Sequence, residues 1–579
     1  MKSSLKDKSL ITIRPLFYKV IIAFVIGLPP ITAWPQPVGS TSGMARSLGK
    51  EWQDNNGQPD FLPDKKAPVF LLPKIPAPDD RSQPLSRQLR FFCKAIRLSG
   101  NHVFSTDELQ QLTAAYTNRD ISNQELQQLR YDLSRYYADR GYINSGAVIP
   151  DQSTQSGIIE IRIIEGTLVQ IDLEGQQHFQ ESYLKDRITL NASEPLQIQQ
   201  LQENLQLLLE NPLIERINAN LQPGPQAGTA ILKTLLKEKI PYQLGVNFDN
   251  QIAPSIGGYQ GTTYAAHRNL TGHGDAFSAQ GRFAEGLTGY GLDYWLPVNR
   301  YDTTVHAWYS HYDSTIVEQP FNQIDVTSNS ESYGVSLTQP FYRKPGQSLL
   351  GIVTIERRRS NTFLLGVPFS FSPGVQNGES SVTVIRIGQE WLSRSTEQVL
   401  ALRSVFNVGI NALDATINPQ APDGRFFSWL GQLQWARHVG LGQVIWRTDV
   451  QLADDPLLPL EKFQIGGANS VRGYRENQLV RDWGFTSALE YRHPLFNETL
   501  SANKFFIAPF ADVGGAWNAD NNILIKQDLL ASVGLGIIWE PDRRLHTHVY
   551  WGKGLINVNN PENDPQDYGF HFKLAGQFF

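Results

Sequence analysis

The feature that most constrains this chain is a two-residue alternation of apolar and polar side chains, which sets in near Pro241 and runs to the C-terminus. Tyr242, Leu244, Val246, Phe248 and Asn250 alternate with Gln243, Gly245, Asn247 and Asp249. The same period returns at Tyr290-Leu292-Tyr294-Leu296, Tyr333-Val335-Leu337, Thr383-Ile385-Ile387 and Leu433-Trp435. The last segment carries Tyr568, Phe570, Phe572, Leu574 and Phe578. Period two gives each strand one apolar and one polar face, which suits a soluble sandwich or a water-filled barrel in lipid. Ten of the twelve tryptophans lie in this stretch, and tyrosines crowd the strand ends. Such placement favours aromatic girdles at a membrane interface. Sharp turns at Leu296-Pro-Val-Asn299 and His493-Pro-Leu-Phe-Asn497 contrast with long loops over 366–379 and 411–425. At ~9–11 residues per membrane strand plus connections, about 340 residues allow roughly 16 strands. The expected fold over 241–579 is a transmembrane antiparallel β-barrel.

The N-terminus adds an address. Lys2, Lys6, Lys8, Arg14 and Lys19 precede the apolar run from Val20 to Leu28, and Ile31-Thr32-Ala33 is a plausible cleavage site. The run is too short to span a bilayer, which needs about 20 residues. Residues 1–33 therefore read as a secretory signal. Met44, Leu48 and Trp52 recur every four residues, enough for one short amphipathic helix within 34–58. Such a helix could act as a plug; a disordered leader with chance spacing is the alternative. Residues 59–85 hold Pro59, Pro63, Pro68, Pro73, Pro76, Pro78 and Pro84, an extended linker.

Between linker and barrel lies a repeat. Ile96-Arg-Leu98-Ser-Gly100-Asn-His-Val-Phe104 is echoed 75 positions later by Ile171-Asp-Leu173-Glu-Gly175-Gln-Gln-His-Phe179. Each copy opens with an alternating strand that ends at a Gly turn, followed by helical patterns. Ser105 with Glu108 and Ser122 with Glu125 have the spacing of capping boxes. Leu126, Leu129, Leu133 and Tyr136-Tyr137 form one buried stripe, and Leu201, Leu205 and Leu208 another. Strands return at Ile159 to Ile163 and at Ala230 to Leu236. The plan is two β-α-α-β-β modules, at 86–167 and 168–240. Cys93 is the one cysteine, so there is no disulfide framework or CxxC pair. It reads as a small buried hydrophobe.

Two motifs decide which barrel this is. One is Gly466-Gly467-Ala-Asn-Ser-Val471-Arg472-Gly473-Tyr474; the other is Phe510-Ala-Asp512-Val-Gly514. Behind two repeat modules, they resemble the VRGY loop and the FxDxG strand of the polypeptide-transporting barrel superfamily. Within it the chain resembles the TpsB transporters of two-partner secretion, which carry two periplasmic POTRA modules. Leu270-Thr-Gly-His-Gly274-Asp275 resembles that family's early barrel hairpin. The resemblance implies a loop folded back into the lumen, with Arg472 meeting Asp512 on the barrel wall. A buried arginine is tolerable where a carboxylate accepts its planar fork. The pair is expected to serve as a conformational latch. The last strand departs from the common habit of barrel proteins of ending on an outward Phe. Its alternation selects Phe578, and a β-bulge would be needed to bring Phe579 outward.

The implied function is export, from an outer-membrane location, of a large unfolded exoprotein such as an adhesin or haemolysin. The POTRA modules would offer edge strands to the extended substrate, by β-augmentation. Ile159, Ile161, Ile163, Ile231 and Leu235 are the expected edge residues. Outer-membrane lipid and, during biogenesis, the barrel-assembly machinery would be further partners. Nearly balanced charge, at a formal -5, gives no reason to expect nucleic acid. The alternative is the insertase branch of the same superfamily, which would favour a longer POTRA array. A passive porin does not account for the periplasmic arm. No enzyme, cofactor or metal site is expected: the eleven histidines include no HExxH, and no GxSxG elbow or P-loop occurs. His267, His273, His306 and His311 read as interfacial or lumenal polar residues.

Overall fold

The computed structural model describes residues 90–578, except 193, 320, 497–503, 520–527 and 542–543. The expected signal, plug helix (Met44, Leu48, Trp52) and linker lie outside the described residues.

The first module runs β1 (Arg90–Cys93), β2 (Ala95–Ser99), α1 (Thr106–Thr113), β3 (Arg119–Ser122), α2 (Asn123–Asp139), β4 (Gly146–Val148) and β5 (Ile158–Ile164). The second runs β6 (Thr167–Glu174), α3 (Glu181–Ile188), α4 (Ile198–Leu209), β7 (Ile214–Pro223) and β8 (Thr229–Glu238). Both follow the expected plan, and β1 paired with β3 is an addition to the first. Leu126, Leu129, Leu133 and Tyr137 bury one stripe of α2 against Ile159, Ile161 and Ile163. Leu201, Leu205 and Leu208 do the same in the second module. Ser122 and Glu125 form the complete capping box, and the Ser122 N–H, with Arg119, holds the Glu125 carboxyl down at about 2. Ser105 caps α1 from its side chain only, because the Glu108 carboxylate accepts from the Tyr136 hydroxyl instead. Cys93 is buried, and burial raises its thiol pKa.

The edge-strand expectation is corrected. The sheet orders are β2-β5-β4 and β6-β8-β7, so Ile159, Ile161 and Ile163 and also Ile231 and Leu235 lie on central strands. In the first module β5 inserts parallel to β2 and antiparallel to β4, and in the second β8 inserts parallel to β6 and antiparallel to β7. Both ladders of each inserted strand are thereby filled, and the free edges belong to β2, β4, β6 and β7.

The barrel has sixteen antiparallel strands. They begin with β9 (Tyr242–Asp249), β10 (Gln260–His267), β11 (Ala276–Ala284), β12 (Leu287–Pro297), β13 (Thr304–Thr315), β14 (Val326–Lys344) and β15 (Gln347–Leu364). A two-residue strand, β16 (Val367–Pro368), only folds back on β15. The wall continues through β17 (Glu379–Arg394), β18 (Gln398–Ile410), β19 (Phe427–Val439) and β20 (Gly442–Ala453). A long loop holding β21 (Phe463–Ile465) and β22 (Leu479–Arg481) follows. The circuit ends with β23 (Trp483–Pro494), β24 (Lys504–Trp517), β25 (Leu529–Glu540), β26 (Leu545–Gly554) and β27 (Phe570–Gln577), which pairs with β9.

Burial along the wall is inverted relative to a soluble protein. On β9, Leu244, Val246 and Phe248 are exposed while Gln243, Asn247 and Asp249 are buried. The same holds for Val533, Leu535 and Ile537 against Ser532. An apolar outer face around a polar interior is stable only in lipid. The aromatic placement is partly different from expectation. Trp446 and Trp551 face outward, but Trp295 and Trp308 are buried on the lumenal side, stacked on His306. Phe578 is exposed, in the register the alternation selects, and no bulge interrupts β27.

Candidate functional site: the lumenal loop and its wall

The loop between β20 and β23 turns into the barrel because its sequence has both the flexibility and the anchors to do so. Gly466 and Gly467 take positive φ values of 103° and 95°, which L side chains rarely adopt. The chain then doubles back, with the Gly467 N–H donating to the Val471 carbonyl at 3.1 Å. Gly473, at φ 89°, lies against the Gly552 backbone, where a Cβ would meet the carbonyl oxygen at 2.8 Å. Phe463, Ile465, Val471, Tyr474 and Leu479 pack with Ala516 and Leu530 of the wall.

Arg472 sits at the centre. Its Nε donates to Asp512 Oδ2 at 2.8 Å and its Nη2 to Asp512 Oδ1 at 2.8 Å. Its backbone N–H adds a third bond to Asp512 at 3.0 Å. Nη1 donates to Glu490 of β23. The guanidinium lies 3.7 Å from the Phe510 ring centroid and 4.8 Å from that of Tyr550. Glu490 is shared, accepting also from Arg492 Nε at 2.6 Å and the Tyr550 hydroxyl at 3.2 Å. All of these side chains are buried. A bidentate, stacked guanidinium is a geometry that lysine cannot reproduce. Each expected motif residue has a place. Val471 packs into the loop core, and Gly514 leaves the room it needs, since a Cβ there would come within 2.9 Å of Val471 Cγ2. The Tyr474 hydroxyl lies 2.8 Å from the Ala531 carbonyl and accepts from the Ile556 N–H at 3.1 Å. Phe510 is the platform under the guanidinium.

Sequence reasoning missed Glu490, Tyr550, His571 and Arg475. His571 accepts from the Gly473 N–H at 3.2 Å. Arg475 ties the loop to its neighbours, donating to Asp567 Oδ2 at 2.7 Å, Asn563 at 3.0 Å and Glu318 at 2.8 Å. The one signal available was that Glu490 and His571 occupy the polar phase of alternating strands. Between the loop and the wall of β9 to β20 remains a cavity of about 410 Å³, lined by polar groups such as Asn247, Gln260 and Ser332 and reaching Arg358, Arg386 and Glu461.

The second module docks on the near rim. The Gln180 N–H donates to the Gly272 carbonyl at 2.9 Å, and Gly274 lies under the Tyr183 ring. This is the 270–275 turn singled out in the sequence. Asp302, in the β12–β13 turn, accepts from Arg187 Nε at 2.8 Å and Nη2 at 2.6 Å, and from Arg343. Glu210 accepts from the Gly346 N–H at 3.3 Å, and burial pushes its carboxyl up to about 6.

Known proteins share this architecture. Residues 228–538 match the family model of the haemolysin secretion/activation proteins ShlB/FhaC/HecB, and residues 91–166 match the ShlB-type POTRA domain. The chain is 23% identical over 399 residues to the outer membrane transporter CdiB of Dickeya dadantii (strain 3937), covering 67% of this chain and 69% of that one. It is 22% identical over 548 residues to the heme/hemopexin transporter protein HuxB of Haemophilus influenzae (strain 86-028NP), covering 88% and 91%. The CdiB structure from Escherichia coli superposes with a TM-score of 0.67 at 20% identity, over 91% of this chain and 97% of that one. BamA from Haemophilus ducreyi lacking POTRA domains 1–3 gives 0.51 at 12% identity, over 84% and 100%. With more than half its length matched, the chain belongs to the ShlB/FhaC/HecB family, the outer-membrane transporters of two-partner secretion.

Proposed function

We propose that this protein takes up a large unfolded exoprotein through its POTRA modules and passes it through the barrel lumen to the outside. The observation that carries the reading is the lumenal loop, which fills a polar bore yet is fastened by side chains rather than by a β-ladder to the wall. Such an obstruction can leave without unzipping the barrel. The Arg472–Asp512–Glu490 cluster is its latch. The receiving edge is best assigned to β7, a ten-residue strand with no strand on its outer side among the described residues. An extended substrate strand would add there by main-chain hydrogen bonds. In support, β7 begins at Ile214, paired with Glu238 at the end of β8, which leads directly into the first barrel strand, β9. The partner class is a large secreted adhesin, haemolysin or similar exoprotein.

The insertase reading draws on the BamA likeness, which concerns fold alone. Co-expression with a large two-partner exoprotein from the same organism separates the two. Exoprotein in the medium, dependent on this chain and reduced by Arg472→Ala, is the expected result. Retention in the periplasm, with improved assembly of other barrel proteins, would favour the insertase.

A further inference from the structure

The loop's entry into the lumen is fastened at a second buried ion cluster, far round the wall from Arg472. Residues 459–461 form a single 3-10 turn just after β20. There the Glu461 carboxylate points into the wall of β15 and β17. Its Oε1 accepts from Arg358 Nη1 at 3.0 Å and Arg386 Nη2 at 3.0 Å, and its Oε2 from Arg386 Nη1 at 3.1 Å. Arg386 is shared with Glu356, at 2.9 and 3.1 Å, and with Asn407 Oδ1 of β18 at 2.9 Å. Arg358 also donates to the Leu460 carbonyl. All four charged side chains are buried, with side-chain exposures of 10% or less.

We propose that Glu461 is a second latch, a positioning residue that holds the entering arm of the lumenal loop against β15 and β17 while Arg472 holds its tip against β23 and β24. The two latches have opposite polarity. At one wall the loop supplies the carboxylate and the wall the guanidinium groups; at the other the loop supplies the guanidinium. A loop lying in the wrong register would bring like charges together at both places, which is costly in a buried setting. The arrangement therefore specifies one seated position. Glu461 is the member of its cluster that belongs to the moving part. Without its charge, the buried Arg386 would keep Glu356 and the neutral Asn407, and the entering arm would hold to the wall through carbonyls alone, Leu460 on Arg358 and Glu461 on Gln451.

The inference rests on the export reading only in treating the loop as the obstruction, and its test needs no exoprotein. The purified full chain is inserted into planar lipid bilayers and its ion conductance recorded. Glu461→Gln should raise the mean conductance severalfold, and combined with Arg472→Ala should exceed the sum of the two single effects. Glu461→Asp, which keeps the charge, should recover most of the wild-type closure. Asp293→Asn removes a carboxylate of the wall that pairs with His306 and not with the loop, and should leave closure near wild type. Equal leak from Asp293→Asn and Glu461→Gln would assign the effect to wall charge and overturn the proposal. An unchanged Glu461→Gln would overturn it too. Loss of insertion in both position-461 variants would assign the cluster to folding, with the same consequence. Failure of the wild type to export, with these conductances as expected, would instead count against the export reading alone.

Discussion

Truncating Arg472 to alanine removes one cation that satisfies two buried carboxylates at once. Its side chain makes two of the three bonds to Asp512, the contact to Glu490, and the stacking on Phe510. Breaking a buried ion pair from one side costs about 3–5 kcal/mol, chiefly because the remaining charge is left without compensation. Glu490 keeps Arg492, so the larger part of that cost falls on Asp512, which retains only the Arg472 backbone N–H. At about 1.4 kcal/mol per power of ten, the ratio of seated to released loop should fall by roughly two to three and a half powers of ten. The barrel itself should survive, since its sixteen ladders do not pass through this side chain. Limited proteolysis of the purified protein reads the loop directly, and heat-modifiable migration on a gel reads the barrel. Rapid cleavage within 466–478 in a barrel that still migrates as folded is the expected outcome. Arg472→Lys should fall between, because an ammonium keeps the charge but not the fork or the stack. A loop as resistant as wild type would refute the latch, and an alanine variant that cannot insert would show that Arg472 serves assembly.

Gly514→Ala should loosen the same loop, since its Cβ would press on Val471 at 2.9 Å, and Val471→Ala in the same chain should restore protease resistance. Asp302→Asn should weaken the docking of the second module on the barrel rim by about 1 kcal/mol, as its partly exposed pairs with Arg187 and Arg343 lose their charge; faster amide exchange at 180–187 and 298–303 is the readout. Glu210 gives a pH dependence of known sign. Its folded value, about 6 against an ordinary 4.5, means that ionisation opposes docking, so the contact should tighten as pH falls through 6 and be worth about 2 kcal/mol more once pH is below 4.5. Exchange at the Gly346 amide, compared with Glu210→Gln, in which the dependence should flatten, checks it.

What was legible in the sequence is what local periodicity and spacing encode. The β9 alternation and the Phe578 register follow from side chains that change face at every residue, and the two modules follow from the repeat. Arg472 and Asp512 were legible through the resemblance of their motifs to the VRGY loop and the FxDxG strand, with flanking glycines that suit a turn and a close approach. Glu490 was not, since a carboxylate on the polar phase of a strand looks the same whether it faces water or a guanidinium. The edge-strand assignment failed for a related reason: chain order does not state sheet order, and the last strand of each module returns to the middle. Trp295 and Trp308 show the limit of composition. An indole is as well suited to stacking on a lumenal histidine as to sitting in a girdle, and counting tryptophans cannot tell these apart.

The kinds of bond at each place also say where movement can occur. Every strand of the wall is held on both sides by backbone ladders, so shifting one strand means breaking a row of main-chain bonds that lipid cannot replace. The lumenal loop is joined to that wall through Glu461, Arg472, Tyr474, the Gly473 N–H on His571 and one packed face, and to the neighbouring loops through Arg475, with its β21–β22 pair closed on itself. These attachments are made by side chains, and none is a ladder to the wall. The second module shows the same economy at the rim, where Arg187, Glu210 and the 270–275 turn hold it by side chains and a single main-chain bond. Under the proposed function, a substrate received at β7 would meet parts fastened by side-chain contacts, set in a cylinder held closed by its ladders. Passage would then depend on the order in which those contacts are released, so the variants at 461 and 472, rather than changes in the wall, discriminate between a gated exporter and a fixed pore.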